Sequence, residues 1–279
     1  MAFQPLVRSG YVPVSGGRLY YEMAGKGPTL VFIHAGIADC RMWDDQFEYL
    51  AQNCRVIRFD ARGYGKSQTE AVNFSNRQDL LDLMDYLGLE PTILVGCSRG
   101  GQIAVDFTLE HPCRVRGLVL VNSGLSGLVT PETSTAAFER DLFIEMDALW
   151  EKRDFSKLVE KEIQMFVAGP WQSIDRVRPQ AREKVREMKL SNLSRRNREA
   201  IPIVMNPPAI DRLDDIETPT LVLVGDLDTQ YSLAAAEYLA SHIPTAQKLV
   251  IPGTSHLPNL EKPEEFNRLL DRFIKQITV

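Results

Sequence analysis

The sequence has few of the residues that build metal sites or disulfide frameworks. Its 279 residues include only four cysteines and four histidines. The cysteines do not show the paired spacing of zinc ligands, so the sequence predicts no metal site. They lie at positions 40, 54, 97 and 113.

Long hydrophobic runs and an excess of one charge are also absent. The longest apolar stretches have the length of a strand, far short of the roughly 20 residues that cross a membrane. The 32 basic and 37 acidic residues are interspersed and leave a formal net charge of -5. These absences argue against an integral membrane protein and against a nucleic-acid-binding surface.

The amino-terminal segment lacks the features of a secretion signal. Residues 1–10 contain no apolar core and no cleavage site. The cysteines are therefore expected to be free thiols in a reducing compartment, and we predict a cytoplasmic location. Nothing in the sequence sets the oligomeric state, so a homo-oligomer stays open.

What the sequence does contain is a series of short apolar runs separated by helix-sized intervals. Most are continuous rather than alternating, which is typical of strands buried on both faces of a parallel sheet. Near the amino terminus, the segments 11–14 and 18–23 flank a Ser-Gly-Gly turn, which predicts an antiparallel hairpin. The predicted strands are 11–14, 18–23, 30–33, 56–59, 92–95, 118–121, 221–224 and 249–251; the predicted helices of this part are 42–51, 76–87, 102–110, 233–241 and 264–277. The fold class is thus α/β, a mostly parallel twisted sheet with helices on both faces.

The stretch 125–212 interrupts this alternation. It has no strand-like run and is rich in helix formers and charges, with apolar residues at helical spacing. We predict a core domain made of residues 1–124 and 213–279, with 125–212 inserted as a helical cap. The cap is expected to lie over the carboxyl ends of the strands, where open α/β sheets bind ligands.

The most informative motif follows the run 92–95. Residues 96–100 read Gly-Cys-Ser-Arg-Gly and open a helical stretch. Gly-x-Ser-x-Gly between a strand and a helix is the pattern of a nucleophile elbow, in which Ser98 stands at the apex of a sharp turn. Cys97 is then a small packing residue rather than the nucleophile.

A serine nucleophile needs a base, and the base needs an acid that orients it. Of the four histidines, His256 lies in a loop just after the last predicted strand, where it could meet Ser98. Asp226 and Asp228 both follow the strand 221–224, and either carboxylate could orient His256. His34 ends an early strand, and we interpret it as structural.

Four motifs together resemble the α/β-hydrolase-fold serine hydrolases that carry a helical cap, over almost the whole chain. They are the elbow 96–101, the turn 60–67 (Asp-Ala-Arg-Gly-Tyr-Gly-Lys-Ser), the segment 225–228 (Gly-Asp-Leu-Asp) and the loop 253–258 (Gly-Thr-Ser-His-Leu-Pro). The resemblance implies Asp228 as the acid, because in similar proteins it stands three residues after the strand-end glycine. In the turn, it implies that Asp60 and Arg62 hold the loop.

The resemblance also implies an oxyanion hole and a pocket. Its donors would be the backbone N–H of Arg99, at a helix N-terminus, and that of Gly36 in His34-Ala35-Gly36, where relatives have His-Gly-x. Ile37 is a second candidate for the latter donor and a candidate pocket residue. Trp150 and Trp171 of the cap are further pocket candidates. For the Arg99 side chain, an ion pair within the protein or a contact with an acidic substrate both stay open.

The implied function is hydrolysis of a small-molecule carboxylic ester through Ser98, His256 and Asp228, with no cofactor. An enol-lactonase or a carbon–carbon bond hydrolase on the same residues remains an alternative. A ligand-binding receptor on a hydrolase scaffold is an alternative of another class, because such receptors keep the same three residues.

Overall fold

A central sheet of nine strands organises the chain in the computed structural model, which describes residues 6–129, 134–195 and 199–278. A separate pair of two-residue strands lies beside it. In chain order the strands are β1 (Arg8–Val14), β2 (Gly17–Ala24), β3 (Thr29–Ile33), β4 (Arg55–Phe59), β5 (Gln68–Thr69), β6 (Asn73–Phe74), β7 (Thr92–Cys97), β8 (Val115–Val121), β9 (Ile201–Pro202), β10 (Thr220–Gly225) and β11 (Ala246–Ile251).

The sheet order is β1-β2-β4-β3-β7-β8-β10-β11, with β5 paired to β2. The six strands from β4 to β11 along this order are mutually parallel, and β2 runs antiparallel to β4. β1 and β2 form the expected hairpin, in register from Arg8 opposite Met23 to Val14 opposite Gly17. The predicted α/β class with an antiparallel edge is confirmed.

Nine α-helices occur in the described residues: α1 (Asp44–Leu50), α2 (Asn76–Tyr86), α3 (Arg99–Glu110), α4 (Ser134–Glu151), α5 (Phe155–Glu162), α6 (Pro179–Arg195), α7 (Gln230–His242), α8 (Pro258–Glu261) and α9 (Pro263–Thr278). Shorter 3₁₀ segments join several of them. None of the helices in this part of the chain is both long and apolar enough to cross a membrane.

Two hydrophobic clusters cover the two faces of the sheet. Because side chains alternate along a strand, Leu30 and Phe32 of β3 enter one cluster while Val31 and Ile33 enter the other. The first cluster contains side chains of α1 and α9, and the second contains side chains of α2, α3 and α7. The continuous apolar run at 249–251 predicts a buried strand. β11 instead lies at the edge of the sheet, and Leu249 and Val250 are 36% and 47% exposed.

The segment predicted as a cap is mostly helical where it is described. Its buried residues on α4, α5 and α6 belong to the same cluster as α1 and α9, whereas Leu125, Met205 and Ala209 at its two ends belong to the other cluster. The prediction that this segment lacks strands is wrong in one detail. Ile201–Pro202 pairs in parallel with Asn73–Phe74, a two-residue contact too short to leave a hydrophobic signal.

Candidate active site

Ser98 occupies a strained turn between β7 and α3. Its backbone has φ 54° and ψ -118°, a conformation that L-residues rarely adopt. A Cβ atom on Gly96 would lie 2.3 Å from the carbonyl oxygen of Gly100, and one on Gly100 would lie 2.2 Å from that of Ile33. Only glycine fits at these two positions, which explains the Gly-x-Ser-x-Gly spacing.

Three backbone N–H groups near this turn have no hydrogen-bond acceptor among the described residues. They belong to Gly36, Ile37 and Arg99. The loop and the turn are neighbours, since a Cβ on Gly36 would lie 3.9 Å from Cβ of Arg99. Free N–H groups that converge from a loop and a helix N-terminus can stabilise a developing oxyanion.

His256 and Asp228 meet at the ends of β11 and β10. His256 Nδ1 lies 2.7 Å from Asp228 Oδ2, and the two residues are 6% and 5% exposed. The second carboxylate oxygen of Asp228 accepts the N–H of Thr229 at 2.7 Å. Asp226 instead accepts the N–H of Gly253 at 2.6 Å and so ties its own loop to the loop that carries His256.

Ser98 and His256 follow strands that end at the same edge of the sheet. The thiol of Cys97, next to Ser98, lies 3.5 Å from the carbonyl oxygen of His256. In the described part of the chain, no hydrogen bond joins the Ser98 hydroxyl to the His256 ring. Such contacts are often long before substrate binds. Burial raises the pKa of the Cys97 thiol well above its ordinary value, which disfavours a thiolate nucleophile at this position.

Asn122 connects the three strand ends and was missed in the sequence. Its side-chain oxygen accepts the N–H of Gly225 at 2.9 Å, and its amide nitrogen donates to the carbonyl of Ser255 at 2.8 Å. Asn122 has φ 41° and is 1% exposed. Its position directly after β8, where a polar residue ends an apolar run, is the signal that could have identified it.

These features agree with a known family. A model of the alpha/beta hydrolase fold matches residues 28–263. The chain belongs to the α/β-hydrolase fold family.

Relatives of this hydrolase include enzymes with different substrates. The 3-oxoadipate enol-lactonase 1 of Acinetobacter baylyi is 28% identical over 90% of each chain. The pimeloyl-(acyl-carrier protein) methyl ester esterase of Yersinia enterocolitica is 27% identical over 93% of this chain and 98% of its own. Among solved structures, a thermophilic esterase from Thermogutta terrifontis superposes with a TM-score of 0.80 at 26% identity, covering 98% of this chain and 100% of that one.

His34 of this hydrolase is locked by the backbone. Its Nδ1 lies 2.8 Å from the carbonyl oxygen of Ala35, and its Nε2 accepts the N–H of Ala61 at 3.0 Å. Complete burial lowers the pKa of the imidazole, which favours the neutral form. This geometry supports the interpretation of His34 as structural.

The turn 60–67 is held by hydrogen bonds, as the resemblance implied. Asp60 accepts the N–H groups of Cys40 and Lys66 at 2.9 and 2.7 Å, while Arg62 forms a two-pronged ion pair with Asp79. With Asp39 and Cys40, Asp60 forms a buried group whose potential metal-ligand atoms lie within 4.8 Å of one another. Both Asp60 oxygens already accept protein N–H groups, so the arrangement is explained by the turn itself.

The segment predicted as a cap contacts the loop that carries His256. A π-helical turn, Ile163–Ala168, follows α5 and places the carbonyl of Phe166 3.2 Å from the N–H of His256. The two rings lie with their centroids 5.1 Å apart. Phe166 is therefore the aromatic residue that contacts His256; in the sequence it is one of several apolar residues at helical spacing and does not stand out.

Arg176 fastens this turn to the same loop. Its guanidinium donates to the carbonyls of Ala168 and Gly253 at 2.6 and 3.0 Å, and it pairs with the carboxylate of Glu261. The other oxygen of Glu261 accepts the N–H of Ser255 at 2.7 Å. The backbone on both sides of residue 254 is thus held by one ion pair that spans cap and core.

The residues predicted for the pocket lie in different settings. Ile37 is buried beside Gly36. Trp150 packs on Phe155 with ring centroids 5.6 Å apart, within the cap. Trp171 is 55% exposed and packs on Phe138 at 3.9 Å. A role for them in substrate binding stays a prediction.

Proposed function

We propose that this α/β-hydrolase cleaves carboxylic esters with Ser98 as nucleophile, His256 as base and Asp228 as the orienting acid. The observation that carries the proposal is the 2.7 Å contact of buried Asp228 with His256 Nδ1, on loops adjacent to a serine in a strained turn. Asp228 accepts from Nδ1–H, which leaves Nε2 as the basic nitrogen and offsets the charge of the imidazolium that forms.

In the proposed first step, the Ser98 oxygen bonds to the ester carbonyl carbon while its proton moves to His256 Nε2. The negative charge that develops on the carbonyl oxygen is stabilised by the N–H groups of Gly36 and Arg99. Collapse of this intermediate breaks the bond to the alcohol oxygen, which takes the proton from His256. In the second step, water gives a proton to His256 and attacks the acyl-enzyme, and Ser98 regains its proton as the acid leaves.

The test uses an activated ester and a single substitution. Rapid mixing of the protein with p-nitrophenyl acetate is expected to release p-nitrophenol in a burst or in steady turnover, because acylation of Ser98 expels that group. The Ser98→Ala protein should lose this activity and should no longer be labelled by a fluorophosphonate. Ser123→Ala is the matched control, since that hydroxyl donates to the carbonyl of Gly124. Retained activity in Ser98→Ala would refute the assignment.

A lactone is the second candidate substrate class. The observation that favours it is the similarity to an enol-lactonase over 90% of each chain. Ring opening needs the same nucleophile, base and oxyanion donors, with the leaving alcohol still attached to the acyl group. Nitrophenyl esters of increasing acyl length, assayed beside five- and six-membered lactones, will separate the two classes by kcat/KM.

We place the protein in the cytoplasm in this proposal. All four cysteines are unpaired, and three of them are buried. Free thiols are typical of a reducing compartment.

A further inference from the structure

Four arginines that are buried or half-buried differ in their partners. Arg58, Arg62 and Arg176 each pair with a carboxylate, namely Glu22, Asp79 and Glu261. Arg99, directly after Ser98, has no carboxylate partner among the described residues. Arg99 is half-buried, and a partly desolvated guanidinium without a carboxylate partner is destabilising, so its position beside the nucleophile calls for an explanation.

The contacts of Arg99 account for only part of its guanidinium. Nη2 donates to the side-chain oxygen of Asn76 at 2.8 Å, and the group lies 5.0 Å from the centre of the Tyr64 ring. Nη1 is buried and has no hydrogen-bond partner in the part of the chain that the structure describes. Asp79 is the acidic residue that interacts with Arg99 at longer range, but both of its oxygens already accept from Arg62 at 2.9 and 2.6 Å. The cation at Arg99 is therefore not neutralised by an ion pair.

A small cavity of about 70 Å³ borders the Arg99 side chain. Its described lining includes two arginines, Arg62 and Arg99, but no acidic residue. Tyr64, Phe74 and Pro202 form part of its wall. The volume corresponds to roughly two water molecules, enough for a small anionic group. The cavity thus combines positive charge with limited size.

The cavity adjoins the candidate oxyanion donors. A Cβ on Gly36 would lie 3.7 Å from the Tyr64 hydroxyl and 3.9 Å from Cδ of Arg99. Tyr64 and Arg99 therefore contact the loop that would receive the ester carbonyl on one side and line the cavity on the other. Because Arg99 directly follows Ser98, a second polar group on a substrate bound at Ser98 would lie near the Arg99 side chain.

We propose that the guanidinium of Arg99 binds a carboxylate on the substrate, so that the preferred substrates are esters or lactones that carry a second, free carboxylate group. The inference rests on the proposed function, because it places the scissile carbonyl at Ser98. Guanidinium–carboxylate contacts are strong, charge-assisted hydrogen bonds, and binding would supply the carboxylate partner that Arg99 lacks.

The test compares two esters of one acid that differ in charge. Monomethyl and dimethyl glutarate, and the same pair for adipate, are hydrolysed by the wild-type protein, Arg99→Met and Arg99→Lys, and proton release is measured. Wild-type kcat/KM should favour the monoester by about 10- to 100-fold, as expected for a hydrogen bond to a charged group. Arg99→Met should abolish this preference, and Arg99→Lys should retain part of it.

The control is Arg116→Met, which removes the same charge from an exposed position of β8. It should leave the monoester-to-diester ratio unchanged. A wild-type ratio near one, or a ratio that Arg99→Met does not alter, overturns the inference. An equal fall in Arg116→Met also overturns it, because the effect would then reflect net charge.

A binding measurement tests the carboxylate site independently of the proposed catalytic function. In Ser98→Ala, monomethyl glutarate should bind at least about 10-fold more tightly than in the double variant Ser98→Ala/Arg99→Met, as measured by calorimetry. Equal binding refutes the carboxylate site whatever the activity. Ester hydrolysis that persists in Ser98→Ala refutes the proposed function, and the difference in affinity would still report on Arg99.

Discussion

Two buried histidines at the same edge of the sheet show how one residue type acquires opposite tasks. At the end of β3, both ring nitrogens of His34 are engaged by the backbone of Ala35 and Ala61. In the loop after β11, His256 has Nδ1 against Asp228, and no hydrogen bond to Nε2 occurs among the described residues. A ring with both nitrogens occupied can only support the fold, whereas a free nitrogen with an oriented partner can move a proton.

The largest expected effect is that of His256→Asn. Loss of the base should lower kcat/KM for p-nitrophenyl acetate by about 10³- to 10⁵-fold. Initial rates measure this loss, and thermal unfolding checks the fold. His242→Asn is the control, because its ring stacks on Tyr238 at 3.8 Å, away from the site. A fall below 10-fold for His256→Asn would remove the distinction between the two histidines.

Substitution of Asp228, the proposed acid partner of His256, should have the next largest effect on activity. Asp228→Asn should lower kcat by about 10²- to 10⁴-fold, since an amide no longer fixes the tautomer of His256 or offsets its charge. Asp226→Asn should cost at most about 5-fold, because Asp226 accepts only the loop N–H of Gly253. Steady-state kinetics measure kcat for both variants. Equal losses of kcat would contradict the choice of Asp228 as the acid.

Removing His34 should act on stability instead. His34→Leu leaves the buried N–H of Ala61 without an acceptor, which should lower the free energy of unfolding by about 2–3 kcal/mol in urea titrations. His34→Gln can restore an acceptor and should recover part of the loss. An unchanged urea midpoint in His34→Leu would show that His34 does not support the fold.

A smaller effect is expected at the ion pair that holds the His256 loop. Arg176→Met should lower kcat about 10-fold with a smaller change in KM, because the loop loses its attachment to Gly253 and Glu261. Glu261→Gln should have a similar effect, and the double variant should cost no more than either one alone. Additive losses in a double-mutant cycle would show that the two residues act separately.

The smallest effect is a pH dependence of stability. The lowered pKa of His34 means that the unfolded state binds the proton more readily, so stability is present above pH 6.5 and is lost as pH falls toward the folded-state pKa. Asp60, Asp39 and Arg99 also influence this imidazole, and burial raises the pKa of Asp60, which acts in the opposite direction. Urea titrations from pH 5 to 8 give the free energy of unfolding of the wild type and of His34→Gln. The difference between the two reports the contribution of the His34 imidazole. That difference should grow smaller as pH falls, and a constant difference would contradict the neutral form.

Part of the candidate site could be predicted because its residues follow strands that are easy to recognise. Ser98, His256 and the aspartates each lie in a turn or loop that follows an apolar run, and parallel strands bring such loops to one edge. The choice between Asp226 and Asp228 needed either the family resemblance or the observed distance. Asn122, Phe166 and the Arg176–Glu261 pair could not be predicted, since their partners lie far away in the sequence.

By itself, the sequence determined the α/β class, the hairpin edge, the helical insertion and the glycines that the turn at Ser98 requires, because these depend on local periodicity and local sterics. Only the tertiary structure decided which ring nitrogens of His34 and His256 are engaged, which N–H groups stay free, and which arginine lacks a carboxylate partner among the described residues. Those properties depend on atoms from distant segments, whose distances no local pattern encodes.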